Sequence, residues 1–356
     1  MAGGGTGGHV VPLLAVAEEV RNRGHEALFI GTLTGLEARL VPAAGFPVEW
    51  IEIGPLKAVG AARRLRTLAQ LPLSMLRCWR LLARRRAAAV FSLGGYAAGP
   101  VVLAAIARRL PLVLMEPNAA AGFTNRRIGR FAARALINFE ETAAFFPPGK
   151  TERTGLPVRE EFFRIPPKPP GGIFTVLVTG GSQGSRTLNR AARAAWPLAA
   201  ASGLRIRWLH QSGRAGHEEL AQAFAALALE GRVLPFIEDM PAAFAEADLV
   251  VSRAGAAIVA ELAAAGKPSV LVPFPYAADQ HQLHNAEAMA RAGAARLVAD
   301  GDLDGPRLFA EAAGLARAPA LLRRMGAAAR TMARPDAARR AAALLEELGR
   351  RPGDLS

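Results

Sequence analysis

Phe174-Thr175-Val176-Leu177-Val178-Thr179, followed at once by Gly180-Gly181-Ser182-Gln183-Gly184-Ser185, is the stretch that decides the fold. Six residues of strand character run into a glycine-rich turn, and helical spacing begins at about Thr187. Glycine lets the backbone approach a bound anion, and the free N–H groups of a helix start favour phosphate. Strand, glycine turn and helix in this order open a doubly wound α/β unit. Just upstream, Ile165-Pro166-Pro167-Lys168-Pro169-Pro170-Gly171-Gly172 can continue neither helix nor strand, so it reads as a linker.

The same punctuation occurs twice before the linker. Gly3-Gly4-Gly5-Thr6-Gly7-Gly8-His9 precedes a helical pattern over 10–23, and Gly94-Gly95 through Gly99 follows a short strand at 89–93. Only Met1 and Ala2 stand before the first turn, so its strand is expected to be missing or truncated. Further strands are predicted at 26–30, 48–53 and 112–115, then at 205–210, 233–236, 249–252 and 269–272, with a terminal helix near 337–348. Such alternation predicts two parallel sheets, each covered by helices.

At 356 residues the chain is about twice an ordinary domain length, which agrees with two units. It carries 44 Lys and Arg against 30 Asp and Glu, a net charge of +14, and residues 1–150 alone hold 19 basic and 9 acidic residues. The attraction for anions is therefore concentrated in the first half. The single cysteine, Cys78, excludes an internal disulfide framework and any zinc site built from several thiolates, and it fits a reducing compartment. No basic segment followed by an apolar one opens the sequence, so no secretory signal is expected. The longest uncharged stretch, 87–107, is broken by Gly94, Gly95, Gly99 and Pro100 and reads as strand, turn and helix rather than as a membrane span.

None of the three turns is followed by the Gly-Lys-Ser/Thr of a P-loop ATPase. Gly3 to Gly8 loosely fits a dinucleotide fingerprint, which keeps a nicotinamide-dependent oxidoreductase as one alternative. The second strand ends at Ile30-Gly31-Thr32 without an acid to hold an adenine ribose, however, and the next acid, Glu37, falls in the following helix. A basic nucleic-acid-binding protein is the other alternative, disfavoured by an aromatic content of only 6% and by the lack of an aromatic RNA-binding motif or zinc finger. Among the histidines, His281 and His284 with Asp279 nearby are spaced for chelation, but solvent or sugar contact explains them equally well, and no metal is assigned. His9 stands at a helix start, placed to touch an attacking hydroxyl or a ligand phosphate, or to serve as a hydrogen-bonded cap-region residue. In Ser252-Arg253-Ala254-Gly255-Ala256-Ala257-Ile258-Val259-Ala260-Glu261, small residues open a helix start to a diphosphate. Glu261 there either accepts from a ribose diol or is an ordinary surface carboxylate.

Six motifs in order carry a resemblance. Gly4-Gly5-Thr6-Gly7-Gly8-His9, Gly94-Gly95-Tyr96-Ala97-Ala98-Gly99-Pro100 and Glu116-Pro117-Asn118 lie in the first half. Gly180-Gly181-Ser182-Gln183-Gly184-Ser185, Ser252-Arg253-Ala254-Gly255-Ala256 and Asp279-Gln280-His281-Gln282 with Asn285 lie in the second. Together they resemble the MurG family, the peptidoglycan UDP-N-acetylglucosamine transferases that act on undecaprenyl-linked muramyl-pentapeptide. The resemblance implies an α/β protein of the GT-B type, two Rossmann-like doubly wound domains facing an interdomain cleft. The reaction it implies is inverting transfer of GlcNAc from UDP-GlcNAc to the C4 hydroxyl of undecaprenyl-pyrophosphoryl-MurNAc-pentapeptide, lipid I, giving lipid II, with no cofactor required.

On the same resemblance, residues 1–160 form an acceptor and membrane-facing domain and 161–335 a UDP-GlcNAc-binding domain, with a helix over about 336–350 packing back on the first. Thr6, Gly7, Gly8 and Asn118 would approach the reacting sugars or the acceptor diphosphate, and His9 is the candidate base or a contact to that diphosphate. Arg159 and Ser182 would contact the donor diphosphate or nucleotide, and Ile237 would meet uracil through its backbone. Ala256, Ala257, Ile258, Val259, Ala260 and Glu261 would receive phosphate and ribose, while Gln282 would hold the GlcNAc hydroxyls.

Residues 61–86 contain eight arginines and no acid, while Leu68, Leu71, Met75, Trp79 and Leu82 line one side of two short helices expected to meet at Pro72. From pattern alone this is a core-facing stripe. A polyprenyl acceptor makes it a membrane contact instead, with Met75, Trp79, Leu82, Arg84, Arg85 and Arg86 against an anionic leaflet. The expected location is peripheral, on the cytoplasmic face of the bacterial plasma membrane. Other cell-wall synthesis proteins are expected partners, and no specific nucleic acid is.

Overall fold

The computed structural model describes residues 1–4, 7–54, 60–169 and 171–350. It divides into two compact units, residues 1–158 with the segment from Arg334, and residues 159–333. Strands of the first unit are β1 (Ala2–Gly3), β2 (Phe29–Gly31), β3 (Val48–Trp50), β4 (Val90–Gly94), β5 (Leu112–Glu116), β6 (Arg134–Ile137) and β7 (Thr151–Arg153). The second unit holds β8 (Phe174–Thr179), β9 (Ile206–Gln211), β10 (Gly231–Leu234), β11 (Leu249–Ser252), β12 (Ser269–Leu271) and β13 (Ala295–Leu297). In chain order the α-helices are α1 (Gly7–Asn22), α2 (Glu37–Ala43), α3 (Ala61–Arg84), α4 (Ala98–Ala107), α5 (Phe123–Ile128), α6 (Glu160–Phe163) and α7 (Arg186–Ala201). They continue with α8 (His217–Ala225), α9 (Met240–Glu246), α10 (Ala256–Ala265), α11 (His281–Arg291), α12 (Gly305–Ala316), α13 (Pro319–Met332) and α14 (Ala337–Gly349).

Both sheets are parallel, ordered β3-β2-β1-β4-β5-β6-β7 and β10-β9-β8-β11-β12-β13. The strand before the first glycine turn is present as two residues, with Ala2 in register with Ile30 on one side and Ser92 on the other. Strand order reverses between β1 and β4 in the first sheet and between β8 and β11 in the second. Ligands of open α/β sheets bind outside the carboxyl ends of strands at such reversals. All four strands that flank the two reversals end in the glycine or small-residue turns read from the sequence, so topology gathers those turns in pairs.

Burial on both faces explains the apolar strands. Val176, Val178, Trp196, Trp208, Phe224 and Val251 form the centre of the second core, where the Trp196 ring meets Phe224 edge-on at 4.9 Å. Val90, Leu112, Leu114, Val101 and Val102 do the same in the first, together with Cys78 and Leu82 of α3. Segment α14 belongs to this first unit, packing against α1.

Two expectations need correction. Residues 61–84 form one helix, α3, not two meeting at Pro72. The N–H that Pro72 lacks would have bonded to the carbonyl of Leu68 on the exposed side, where losing one helical hydrogen bond leaves no buried group unpaired. Meanwhile Thr67, Ser74, Cys78, Leu81 and Leu82 anchor the other side, and the Ser74 hydroxyl donates to the Glu52 carbonyl at 2.6 Å. Strands β6, β7 and β13 were not predicted. Each has only three or four residues, and β7 is Thr-Glu-Arg, with no apolar pattern to read.

Candidate active site

In the first unit the turns after β1 and β4 touch. A Cβ on Gly95 would lie 3.3 Å from the Gly4 carbonyl and 3.6 Å from His9 Nδ1, so the two turns lie in contact. Gly94 and Gly95 both have φ +83°, a left-handed backbone that a side chain would strain. Gly7, Gly8 and His9 form the first turn of α1. Thr6 lies outside the described residues. His9 is half-buried, and its Nδ1 stands 3.3 Å from the Gly4 carbonyl. A carbonyl can only accept, so the proton sits on Nδ1 and Nε2 is the basic nitrogen of this tautomer. Burial pushes the His9 pKa down, against the opposing pull of the Gly4 carbonyl and the Glu37 charge, so the imidazole is neutral at pH 7.

Next to this pair, at the end of β5, a hub forms around Glu116 that sequence reasoning quoted only as part of a motif. Its carboxylate accepts from the Asn118 N–H and Nδ2, both at 3.1 Å, from the Gly122 N–H at 2.9 Å and from Asn125 Nδ2 at 2.9 Å. Burial raises the Glu116 pKa while these hydrogen bonds lower it. Asn118 is therefore held by its own loop, and Asn125, which also donates to the Met115 carbonyl, was missed altogether. The available signal was an acid followed by two asparagines and a glycine within ten residues.

In the second unit the turn after β8 is shaped by close backbone approach. Gly184 presses against the Ser212 carbonyl, where any Cβ would collide, and Ser185 caps α7 by accepting from the Leu188 N–H. Ser182 is exposed at the tip. Gln211 ties the site together, donating to the Gly181 carbonyl at 2.8 Å and accepting from the Ile237 N–H at 2.8 Å. The Ile237 N–H is thus already engaged, a constraint the sequence did not reveal.

The turn after β11 leads through Gly255 into α10, whose first residues Ala256, Ala257 and Ile258 are only half-buried. Val259 and Ala260 are different. Both side chains are buried, and the Val259 N–H bonds to the Gly255 carbonyl within the helix, so these two support the turn rather than face a ligand. Glu261 is half-buried, and burial pushes its carboxyl up to about 7, with Arg159 pulling it the other way. Arg159 itself lies over the Phe162 ring at 5.0 Å and lines a groove of about 670 Å³ with Glu238, Asp239 and Pro241. Gln282 accepts through Oε1 from the N–H groups of Ala254 at 3.2 Å and Phe274 at 2.9 Å, and Asn285 donates to the Ala254 carbonyl at 3.0 Å. The structure therefore brings Gln282 to the turn before α10, and Arg159 within electrostatic reach of Glu261.

Residues 1–137 match the glycosyltransferase family 28 N-terminal domain and residues 175–341 the glycosyltransferase family 28 C-terminal domain. The chain is 59% identical over 350 residues to the UDP-N-acetylglucosamine--N-acetylmuramyl-(pentapeptide) pyrophosphoryl-undecaprenol N-acetylglucosamine transferase of Solibacter usitatus, covering 98% of this chain and 96% of that one. The chain belongs to the MurG family. The same-named transferase of Anaeromyxobacter dehalogenans strain 2CP-C is 44% identical, covering 99% of this chain and 93% of that protein. The crystal structure of Acinetobacter baumannii MurG superposes with a TM-score of 0.81 at 32% identity over 97% of each chain, which fixes the fold as GT-B.

Helix α3 of this MurG-family chain turns outward a stripe that only partly matches the one expected. Leu82 is 6% exposed, and Met75 packs on the core, so neither is available to a membrane. Leu68 and Trp79 of the expected stripe do stay exposed, joined by Leu65, Leu73 and Leu76, with Arg108 stacked over the Trp79 ring at 4.8 Å. Arg84, Arg85 and Arg86 are exposed, and Arg85 pairs with Glu49 at 3.0 Å. No helix among the described residues is long and apolar enough to cross a membrane. Among the described residues no cluster of three or more His, Cys, Asp or Glu is placed to hold a metal, and His284 lies 3.3 Å from Glu287.

Proposed function

We propose that this chain catalyses inverting transfer of GlcNAc from UDP-GlcNAc to the C4 hydroxyl of undecaprenyl-pyrophosphoryl-MurNAc-pentapeptide, completing the lipid-linked disaccharide for peptidoglycan. The 59% identity over 98% of the chain to a transferase named for that reaction carries this. In the reaction the acceptor oxygen bonds to the anomeric carbon as the bond from that carbon to the diphosphate oxygen breaks, and UDP leaves with the electron pair. The neutral His9 Nε2 takes the hydroxyl proton as the bond forms. The N-terminal unit binds the acceptor through the α1 turn with Gly7 and Gly8, and through the loop of Asn118.

The second unit binds the donor. Free N–H groups of Ala256, Ala257 and Ile258 neutralise the departing diphosphate, with Arg159 and Ser182 beside them. Ionised Glu261 accepts from the ribose hydroxyls. Because the Ile237 N–H is held by Gln211, uracil is met through the Ile237 carbonyl. Oε1 of Gln282 is engaged by backbone N–H groups, so its amide nitrogen bonds the sugar hydroxyls. The exposed apolar face of α3, from Leu65 to Trp79, with its arginines, rests on an anionic membrane surface. On this reading the enzyme works peripherally at the cytoplasmic face of the plasma membrane, with other cell-wall synthesis proteins as its partners. Incubation with labelled UDP-GlcNAc and a lipid-linked muramyl-pentapeptide is expected to yield a labelled disaccharide lipid, and failure to form it would overturn the function.

A further inference from the structure

We propose that Glu37 is a positioning residue for the transfer, holding the first glycine turn and, through it, the His9 base. This rests on the reading of His9 given above. Glu37 lies in the first turn of α2, where an acid ordinarily faces solvent and favours the helix dipole, yet it is 1% exposed. Its surroundings are built to admit it. A Cβ on Gly4 or Gly35 would collide with the carboxylate, and one on Gly31 would stand 2.8 Å from the Glu37 Cγ. None of these three glycines has a left-handed backbone, so space for the carboxylate, not conformation, is what requires glycine there.

The hydrogen bonds have a direction. Glu37 Oε1 accepts from the Thr32 N–H at 3.1 Å and from the Thr32 hydroxyl at 2.8 Å. With that hydroxyl proton committed, the Tyr96 phenol 3.3 Å away must donate to Thr32 Oγ1. A relay from Tyr96 through Thr32 thus ends on the carboxylate and joins the end of β2 to the turn after β4. Gly4, pressed on Glu37, is also the residue whose carbonyl receives the His9 Nδ1 proton. In a dinucleotide-binding fold an acid at the end of this strand reaches outward to a ribose. Here the strand ends without one, and the next acid, Glu37 at the start of α2, is buried against Gly4 instead. Glu37 is a charged side chain that acts on His9, and Tyr96 is a titratable group bound to the same relay. As His9 takes a proton, that charge stabilises the imidazolium.

Glu37→Gln preserves shape and can still accept from Thr32, but removes the charge. The variant is expected to lower kcat roughly tenfold with the KM for UDP-GlcNAc unchanged. In histidine NMR titrations, with the His9 resonance assigned from its absence in His9→Ala, its pKa is expected to fall. Combining Glu37→Gln with His9→Ala should cost no more than His9→Ala alone, because the carboxylate works through the imidazole. An unmoved His9 titration, or a full additional loss in the double variant, would overturn the proposal. The titration needs no substrate, so wild-type protein that fails to transfer GlcNAc would refute the function while still leaving the link between Glu37 and His9 to be decided. Should Glu37→Gln fail to fold, Tyr96→Phe tests the same relay, which loses its terminal donor, and the His9 titration is again the readout.

Discussion

In its proposed ribose role, Glu261 would tie donor binding to stability in one side chain. Its carboxyl, raised to about 7 by burial, must ionise to accept from both ribose hydroxyls, so affinity for UDP-GlcNAc is expected to fall as pH drops below 7. Glu261→Ala should raise the donor KM by about tenfold, and an unchanged KM would remove it from the ribose role. The folded chain holds this proton more tightly than the unfolded chain does. Its contribution to stability is therefore full below about 4.5 and declines as pH rises through about 7. Glu261→Gln should accordingly raise the melting temperature at pH 8 and leave it unchanged at pH 4. At Glu116, Asn125→Ala removes one donor from a buried carboxylate and is expected to cost about 1–3 kcal/mol in denaturant unfolding. His9 and Glu261 were legible because each stands at a helix start or one turn beyond it. Asn125 and Gln211 were not, since their roles are to bond backbone groups brought near only by folding.

Helix α3 shows how far a pattern can be read. Leucine, methionine, tryptophan and cysteine recur around most of its circumference, so helical spacing selects several apolar stripes and arginines flank them all. Packing against α4 decides which one is buried. Leu68→Gln with Leu73→Gln should weaken partitioning to anionic vesicles while leaving thermal stability nearly intact. Leu82→Ala should do the reverse, costing about 2–5 kcal/mol of stability with little effect on partitioning. Equal effects of the two variants on partitioning would sink the assignment of faces. The short strands β7 and β13 failed to announce themselves for a related reason. Three residues hold too little periodicity to be seen, and only pairing with β6 and β12 makes them strands.

Across the whole molecule, each unit has its own parallel sheet and its own core, so calorimetry is expected to resolve a response from each. UDP should raise the transition of the unit spanning 159–333, by about 2.7 kcal/mol at a hundredfold excess over Kd, and Leu114→Ala should lower that of the other. A shift of the first unit's transition by UDP would contradict the division of substrates between units. The sequence by itself determined the class of each unit, because strands, glycine turns and helix starts are local features governed by backbone sterics and short-range periodicity. It also marked the helix starts beside His9 and before Glu261 as places for an anion, since small residues at a helix start are a local requirement for holding phosphate, while Gln282 was offered by family resemblance alone. Only the tertiary structure decided that β1 lies beside β4 and β8 beside β11, which pairs turns separated by dozens of residues. It alone decided that Glu37 points inward and that Leu82 is core, because side-chain direction and burial depend on neighbours that only packing supplies.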